Sequence, residues 1–153
     1  MQKVKIEAFQ VIGISIRTTN EGAKAEAEIG QLWQDFMAKD IPSKIPNKLN
    51  TNIYSIYTDY ESDHRQGYTA VLGCEVSTLE EIPAGMIGLE VAGATYSKSS
   101  VRGDLQQGII VEHWNTIWNQ DLNRAYTTDF EVFGEKAQDP RDAEVDFYIA
   151  LKE

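Results

Sequence analysis

One cysteine, Cys74, is all the sequence contains, so no disulfide closes within the chain and a covalent scaffold is excluded. A lone thiol fits a reducing compartment, and its alternating setting, Leu72-Gly73-Cys74-Glu75-Val76, predicts a buried, inert side chain in a strand. Histidine is nearly as scarce. His64 and His113 have no ligand partner at a metal spacing, and no metal site is expected. The segment Asp59-Tyr60-Glu61-Ser62-Asp63 shares only acidity with a calcium loop, lacking its glycine and closing glutamate. Gly-x-Ser-x-Gly, Gly-x-Gly-x-x-Gly and the phosphate loop are missing, so the common hydrolase elbow and nucleotide cradles are set aside and no cofactor is expected. No stretch approaches the ~20 apolar residues of a membrane span. Glu7 and Gln10 interrupt the start of the chain, so no signal peptide is read there and a cytoplasmic location is expected. Basic side chains are few, 14 Lys and Arg against 24 Asp and Glu, for a net charge of −10. That balance argues against nucleic acid or anionic membrane as a partner and leaves cationic ligands open.

What is present fits a single domain over residues 1–153, with 42% apolar residues to build its core. The acidity is uneven: residues 1–77 hold eight basic and ten acidic side chains, residues 78–153 six and fourteen. Helical periodicity appears twice. Between about Ala23 and Lys39, Ile29, Leu32, Trp33, Phe36 and Met37 form one apolar stripe that ends at Asp40-Ile41-Pro42. From about Leu105 to Gln120, Ile110, Trp114, Ile117 and Trp118 form another, with Asp104 as its N-cap. The second stripe repeats the first at an offset of 81 residues, and strands flank both. Val4–Arg17 precedes the first helix, with Ile53–Asp59 and Tyr68–Ser77 after it. Met86–Val101, broken near Gly93, precedes the second, with Phe130–Glu135 and Glu144–Leu151 following. The chain therefore reads as an α+β fold of duplicated β-α-β-β units, about residues 2–79 and 84–152, with each helix covering an antiparallel sheet.

Alternation sorts the faces. In the last strand Val145, Phe147, Ile149 and Leu151 point one way, Asp146, Tyr148 and Ala150 the other. Assigning every apolar set to the helices, Phe130 and Val132 included, puts Glu131, Phe133, Asp146 and Tyr148 on the face away from them. That face is either wet or, if the halves curl over it, a pocket with acidic and aromatic walls. Trp33 and Trp114 read as helix-to-sheet core. Several tyrosines, among them Tyr57, Tyr96 and Tyr148, fall in strands, where an apolar ring with a polar tip suits a partly wet cavity. Aromatic faces around one poorly solvated carboxylate make a site for a lipophilic cation.

The helix with Leu32-Trp33-x-x-Phe36, the strand and loop Ile56-Tyr57-Thr58-Asp59-Tyr60-Glu61, and Ala94-Thr95-Tyr96-Ser97 before Gly103 occur in a telling order. Asp129-Phe130-Glu131-Val132-Phe133 and then Glu144-Val145-Asp146-Phe147-Tyr148-Ile149 complete it. This order resembles the GyrI-like small-molecule-binding domain, which also serves as the effector-binding domain of AraC-type and MerR-type transcription regulators. The resemblance spans about residues 2–152. It implies a pseudo-twofold sheet, two helices and a central cleft for small, often cationic, lipophilic molecules. It places a cleft glutamate at Glu131, and cleft tyrosines at Tyr57 and Tyr148. With the alternation it gives a candidate ligand set of Glu131, Tyr57, Tyr96, Trp118, Phe133, Asp146 and Tyr148. Two departures stand out: Ala150 replaces a frequent proline, and no DNA-binding helix-turn-helix precedes the domain. The chain is thus expected to bind or sense its ligand alone or beside a separate DNA-binding or target protein, as monomer or homodimer. Two further roles accompany the resemblance: a hydrolase with Glu131 as general base, or an inhibitor of a DNA enzyme such as gyrase.

Overall fold

The computed structural model describes residues 2–20, 24–62 and 67–152; His64 and Ala23 lie outside them. Eight strands, β1 (Gln2–Ile6), β2 (Phe9–Thr19), β3 (Ile53–Thr58), β4 (Gly67–Val76), β5 (Ile87–Val91), β6 (Ala94–Gly103), β7 (Thr128–Phe133) and β8 (Ala143–Ala150), form one antiparallel sheet. Its order is β1-β6-β8-β7-β3-β4-β2-β5. Exchanging the first four strands with the last four reverses this order onto itself, which is the pseudo-twofold arrangement expected of a duplicated α+β chain.

Each half opens with two strands, not one. The segment expected as Val4–Arg17 breaks at Glu7-Ala8 into β1 and β2, as its counterpart breaks at Ala92-Gly93. The break lets the edge strands change places: β1 pairs with β6 of the other half, and β5 with β2. The halves are thereby laced together through backbone hydrogen bonds at both edges as well as at the β3–β7 centre.

Helix α1 (Lys24–Ala38) lies on β2 and β4. Leu32 and Phe36 meet Ile12, Leu72, Cys74 and Val76 in one cluster, so Cys74 is a core thiol. A short helix, α2 (Ile41–Lys44), follows, with proline in its first turn. Helix α3 (Ile109–Trp118) is shorter than the expected Leu105–Gln120. Asp104 does cap, accepting from the Gln106 backbone N–H, but it starts a separate 3-10 turn. Gly108, at φ 75°, breaks the chain direction before α3 begins. Ile117 then packs on Val145, Phe147 and Ile149. His113 lies edge-on to Phe147 and shares a hydrogen bond of 2.8 Å with Ser99, which makes it structural. None of the described helices is long and apolar enough to cross a membrane.

The opposite face of the sheet carries its own apolar layer. Val11, Ile56, Val71, Val91, Tyr96, Phe130 and Ala150 are buried there, with Val4 from β1 and Leu89 from β5 joining them. Strands at the two ends of the sheet thus contribute to one cluster, so the sheet curls around this face.

A cleft between the two helices

The sheet register decides which side chains meet, because directly opposed residues share a face. Ser55 opposes both Leu72 and Glu131, and Glu131 opposes Phe147. Leu72 belongs to the α1 core and Phe147 to the α3 core. Both helices, Ser55 and Glu131 are therefore on one face. Ile53, Tyr57, Asp129 and Phe133 fall in step with them.

This corrects the expected sidedness. Phe130 and Val132 do not face the helices; they pack with Tyr96, Tyr148 and Ile56 on the far side. The reason is the position of β3 and β7 at the centre of the sheet, beneath the gap between α1 and α3. Strands under a helix turn their apolar residues toward it. The middles of the two strands under the gap are inverted, with Ser55, Tyr57, Asp129 and Glu131 toward the helices and Tyr54, Ile56, Phe130 and Val132 on the curled face. Ile53 and Phe133 at their ends keep apolar groups in the cleft.

The gap is a cleft of about 1060 Å³, at the upper end of ordinary small-molecule sites. Ile29, Trp33 and Met37 of α1 form one wall, and Ile110, Trp114 and Trp118 of α3 the other. These are the residues superposed by the 81-residue repeat, so the duplicated stripes wall the cleft, while Ile29, Trp33, Ile110 and Trp114 also pack on the helix-to-sheet core as expected. The fully buried Phe36 and Ile117 beside them are the core members. Trp33 meets Phe133 edge-on at 4.9 Å between ring centroids, and Trp114 meets Tyr57 at 5.3 Å.

Of the candidate ligand residues, Glu131, Tyr57, Trp118 and Phe133 come together here. Tyr96, Asp146 and Tyr148 do not. Tyr96 is buried against Phe130 and Tyr148 on the far face, and Asp146, also there, accepts from the Ser100 hydroxyl. Asp146 and Tyr148 do lie away from the helices, as the alternation has them; the inversion of β7 is what separates Glu131 and Phe133 from them. Tyr60, Tyr68, Trp33 and Trp114 join the lining although none of them is in the candidate ligand set. The offset repeat of the tryptophans was the available signal.

Glu131 is 1% exposed. Its Oε1 accepts from the Tyr57 hydroxyl, to which Ser55 in turn donates at 3.2 Å, whereas Oε2 has no hydrogen-bond partner. Burial pushes its carboxyl up to about 7; Tyr57, Trp114 and Ser55 pull the other way. Burial and the neighbouring carboxylate hold the Tyr57 phenol well above its ordinary value, so it remains a donor.

A second buried carboxylate shows the contrast. Asp129, two residues away on the same strand, accepts from Arg124 at 2.9 Å, Tyr60 at 2.6 Å and the Ala150 backbone N–H at 2.8 Å. Asp129 is a structural ion pair with both oxygens engaged. Glu131 is a buried acid facing open space. Among the described residues no cluster of His, Cys, Asp and Glu could hold a metal ion.

The comparisons agree with this fold. YobU of Bacillus subtilis (strain 168), described as a putative transcriptional regulator protein, is 26% identical over 144 residues, covering 92% of this chain and 90% of its own. An integron cassette protein of Vibrio cholerae superposes with a TM-score of 0.75 at 28% identity, covering 99% of this chain and 95% of that one. SAV2435, solved bound to tetraphenylphosphonium, superposes at 0.76 with 16% identity, covering 99% and 93%, which establishes a shared fold. The resemblance to the GyrI-like domain is borne out. With residues 4–151 matching it, the chain belongs to the Cass2 family of integron-associated effector binding proteins.

Proposed function

We propose that this chain binds small, amphipathic organic cations in the cleft between α1 and α3, with Glu131 as the charge anchor. The observation that carries the reading is the Glu131 carboxyl, which is buried, free at Oε2 and without a Lys or Arg contact among its described hydrogen bonds. A buried charge without a counter-ion is costly, and a cationic ligand removes that cost. Tyr57, Trp33, Trp114, Trp118 and Phe133 supply apolar area and ring faces, each face worth about 0.5–2 kcal/mol to a cation. The net charge of −10 adds a general field of the same sense. That a domain of this fold, SAV2435, was solved with a lipophilic phosphonium supports the ligand class.

All three tryptophans line the cleft, so intrinsic fluorescence titrated with tetraphenylphosphonium tests the reading. Saturable quenching that weakens strongly in Glu131→Gln is expected; equal affinity of the two proteins would remove the anchor role. A second reading uses the same acid. A carboxyl near neutral in its proton affinity suits general-base work on a water, and product formation from an electrophilic ligand, lost in Glu131→Gln, would favour hydrolysis over binding.

A further inference from the structure

Among the described residues, one atom on the floor of the cleft and one on its α3 wall are without a hydrogen-bond partner, and they are of opposite kind. Glu131 Oε2 accepts and Trp114 Nε1–H donates, and neither has a partner within ordinary hydrogen-bond geometry. Both residues line the same cavity. The indole N–H acts on the carboxyl as a donor that helps hold its proton affinity down, from outside ordinary hydrogen-bond geometry. The other oxygen, Oε1, is already taken by Tyr57. Buried donors and acceptors left open carry a penalty that a matching ligand relieves. An onium ion sheathed in carbon answers the charge of Glu131 but neither the lone pair on Oε2 nor the indole N–H.

Resting on the reading of Glu131 as cation anchor, we propose that the cleft selects protonated secondary or tertiary amines that carry an oxygen acceptor a few bonds from the nitrogen. The ammonium N–H donates to Glu131 Oε2, and the oxygen accepts from Trp114 Nε1–H. The apolar remainder lies against Trp33, Trp118 and Phe133, which line the same cavity. A permanently quaternised analogue keeps the charge and loses the first hydrogen bond. An analogue with methylene in place of oxygen loses the second.

Four probes separate these contributions by calorimetry at pH 8 on the full chain. They are the diphenylmethyl ether of dimethylaminoethanol, its N-ethyl-N-methyl homologue, its N-methyl quaternary salt, and the analogue with the ether oxygen replaced by CH2. The homologue and the salt have equal carbon counts, so their comparison isolates the N–H and needs no variant. The homologue is expected to bind about tenfold or more tighter than the salt, as a charge-assisted hydrogen bond warrants. The ether is expected to bind several-fold tighter than its CH2 analogue in the wild type and equally in Trp114→Phe. Equal affinity of homologue and salt, with both weakened by Glu131→Gln, overturns the amine preference and leaves the charge anchor standing. Equal affinity of ether and CH2 analogue overturns the Trp114 contact. Failure of every probe to bind overturns both readings.

Discussion

If Glu131 anchors a cation as a carboxylate, affinity must follow its ionisation. Burial in the cleft holds this carboxyl at about 7, so about 3% is ionised at pH 5.5 and about 90% at pH 8. A permanently charged ligand such as tetraphenylphosphonium, which cannot itself titrate, must expel the proton to bind below neutrality. Its affinity is then expected to rise about 30-fold from pH 5.5 to pH 8, near 2 kcal/mol, with most of the change below pH 7. The sign follows from the proton count: the bound state carries one proton fewer, so raising the pH favours it. In Glu131→Gln the profile should be flat, and at pH 8 the variant should bind at least about 30-fold more weakly, since the cation then enters a dry site without a counter-charge. Trp33, Trp114 and Trp118 report occupancy directly by fluorescence. A flat profile in the wild type would refute the reasoning, as would the same slope in the glutamine variant, which would move the titrating group elsewhere.

The same acid should show in stability. The native state keeps the Glu131 proton to about pH 7, whereas an unfolded glutamate releases it near 4.5, so the empty protein loses stability as pH rises through that window. Glu131→Gln is expected to be more stable than wild type at pH 8 by up to about 3 kcal/mol and to lose that advantage at pH 4.5; urea unfolding at both values checks it. Tyr57→Phe removes a hydrogen bond that lowers the Glu131 carboxyl, so the midpoint of the binding profile should move to higher pH, and an unmoved midpoint would mean the contact is not felt. Phe36→Ala, in the core under α1, should cost about 3–5 kcal/mol of stability. Trp33→Ala on the same helix should cost less and instead weaken ligand binding, a division that calorimetric unfolding and titration together resolve.

How far the sequence discloses this arrangement depends on where a residue sits in the sheet. The two stripes from Ile29 to Met37 and from Ile110 to Trp118 mark both helices because their flanks bury a continuous face. Glu131 is reached through the resemblance, which places a cleft glutamate at that position, whereas alternation alone puts it on the face away from the helices. The sidedness of β7 is not readable, because Phe130 and Glu131 alternate identically whether a helix or a gap lies above them. Only the long-range order, with β3 and β7 at the centre beneath the gap, resolves it. The break at Glu7-Ala8 is hidden for a related reason: no glycine or proline marks it, and what imposes it is pairing of β1 with a strand some ninety residues away.

The reversal of the strand order has one more consequence. When Leu72 of β4 is matched with Phe147 of β8, their cross-strand partners, Ser55 of β3 and Glu131 of β7, are matched as well. These two residues are also direct cross-strand partners, so the pseudo-axis runs through them. In a true dimer of half-length chains this point would carry the same residue twice. Two glutamates facing each other there would repel, and sharing one proton would leave neither free to meet a cation. Writing both halves into one chain lets the floor hold one acid and one small hydroxyl between walls that remain alike. On the proposed reading, walls that are alike around a single unpaired buried acid suit ligands with two similar apolar arms and one positive centre.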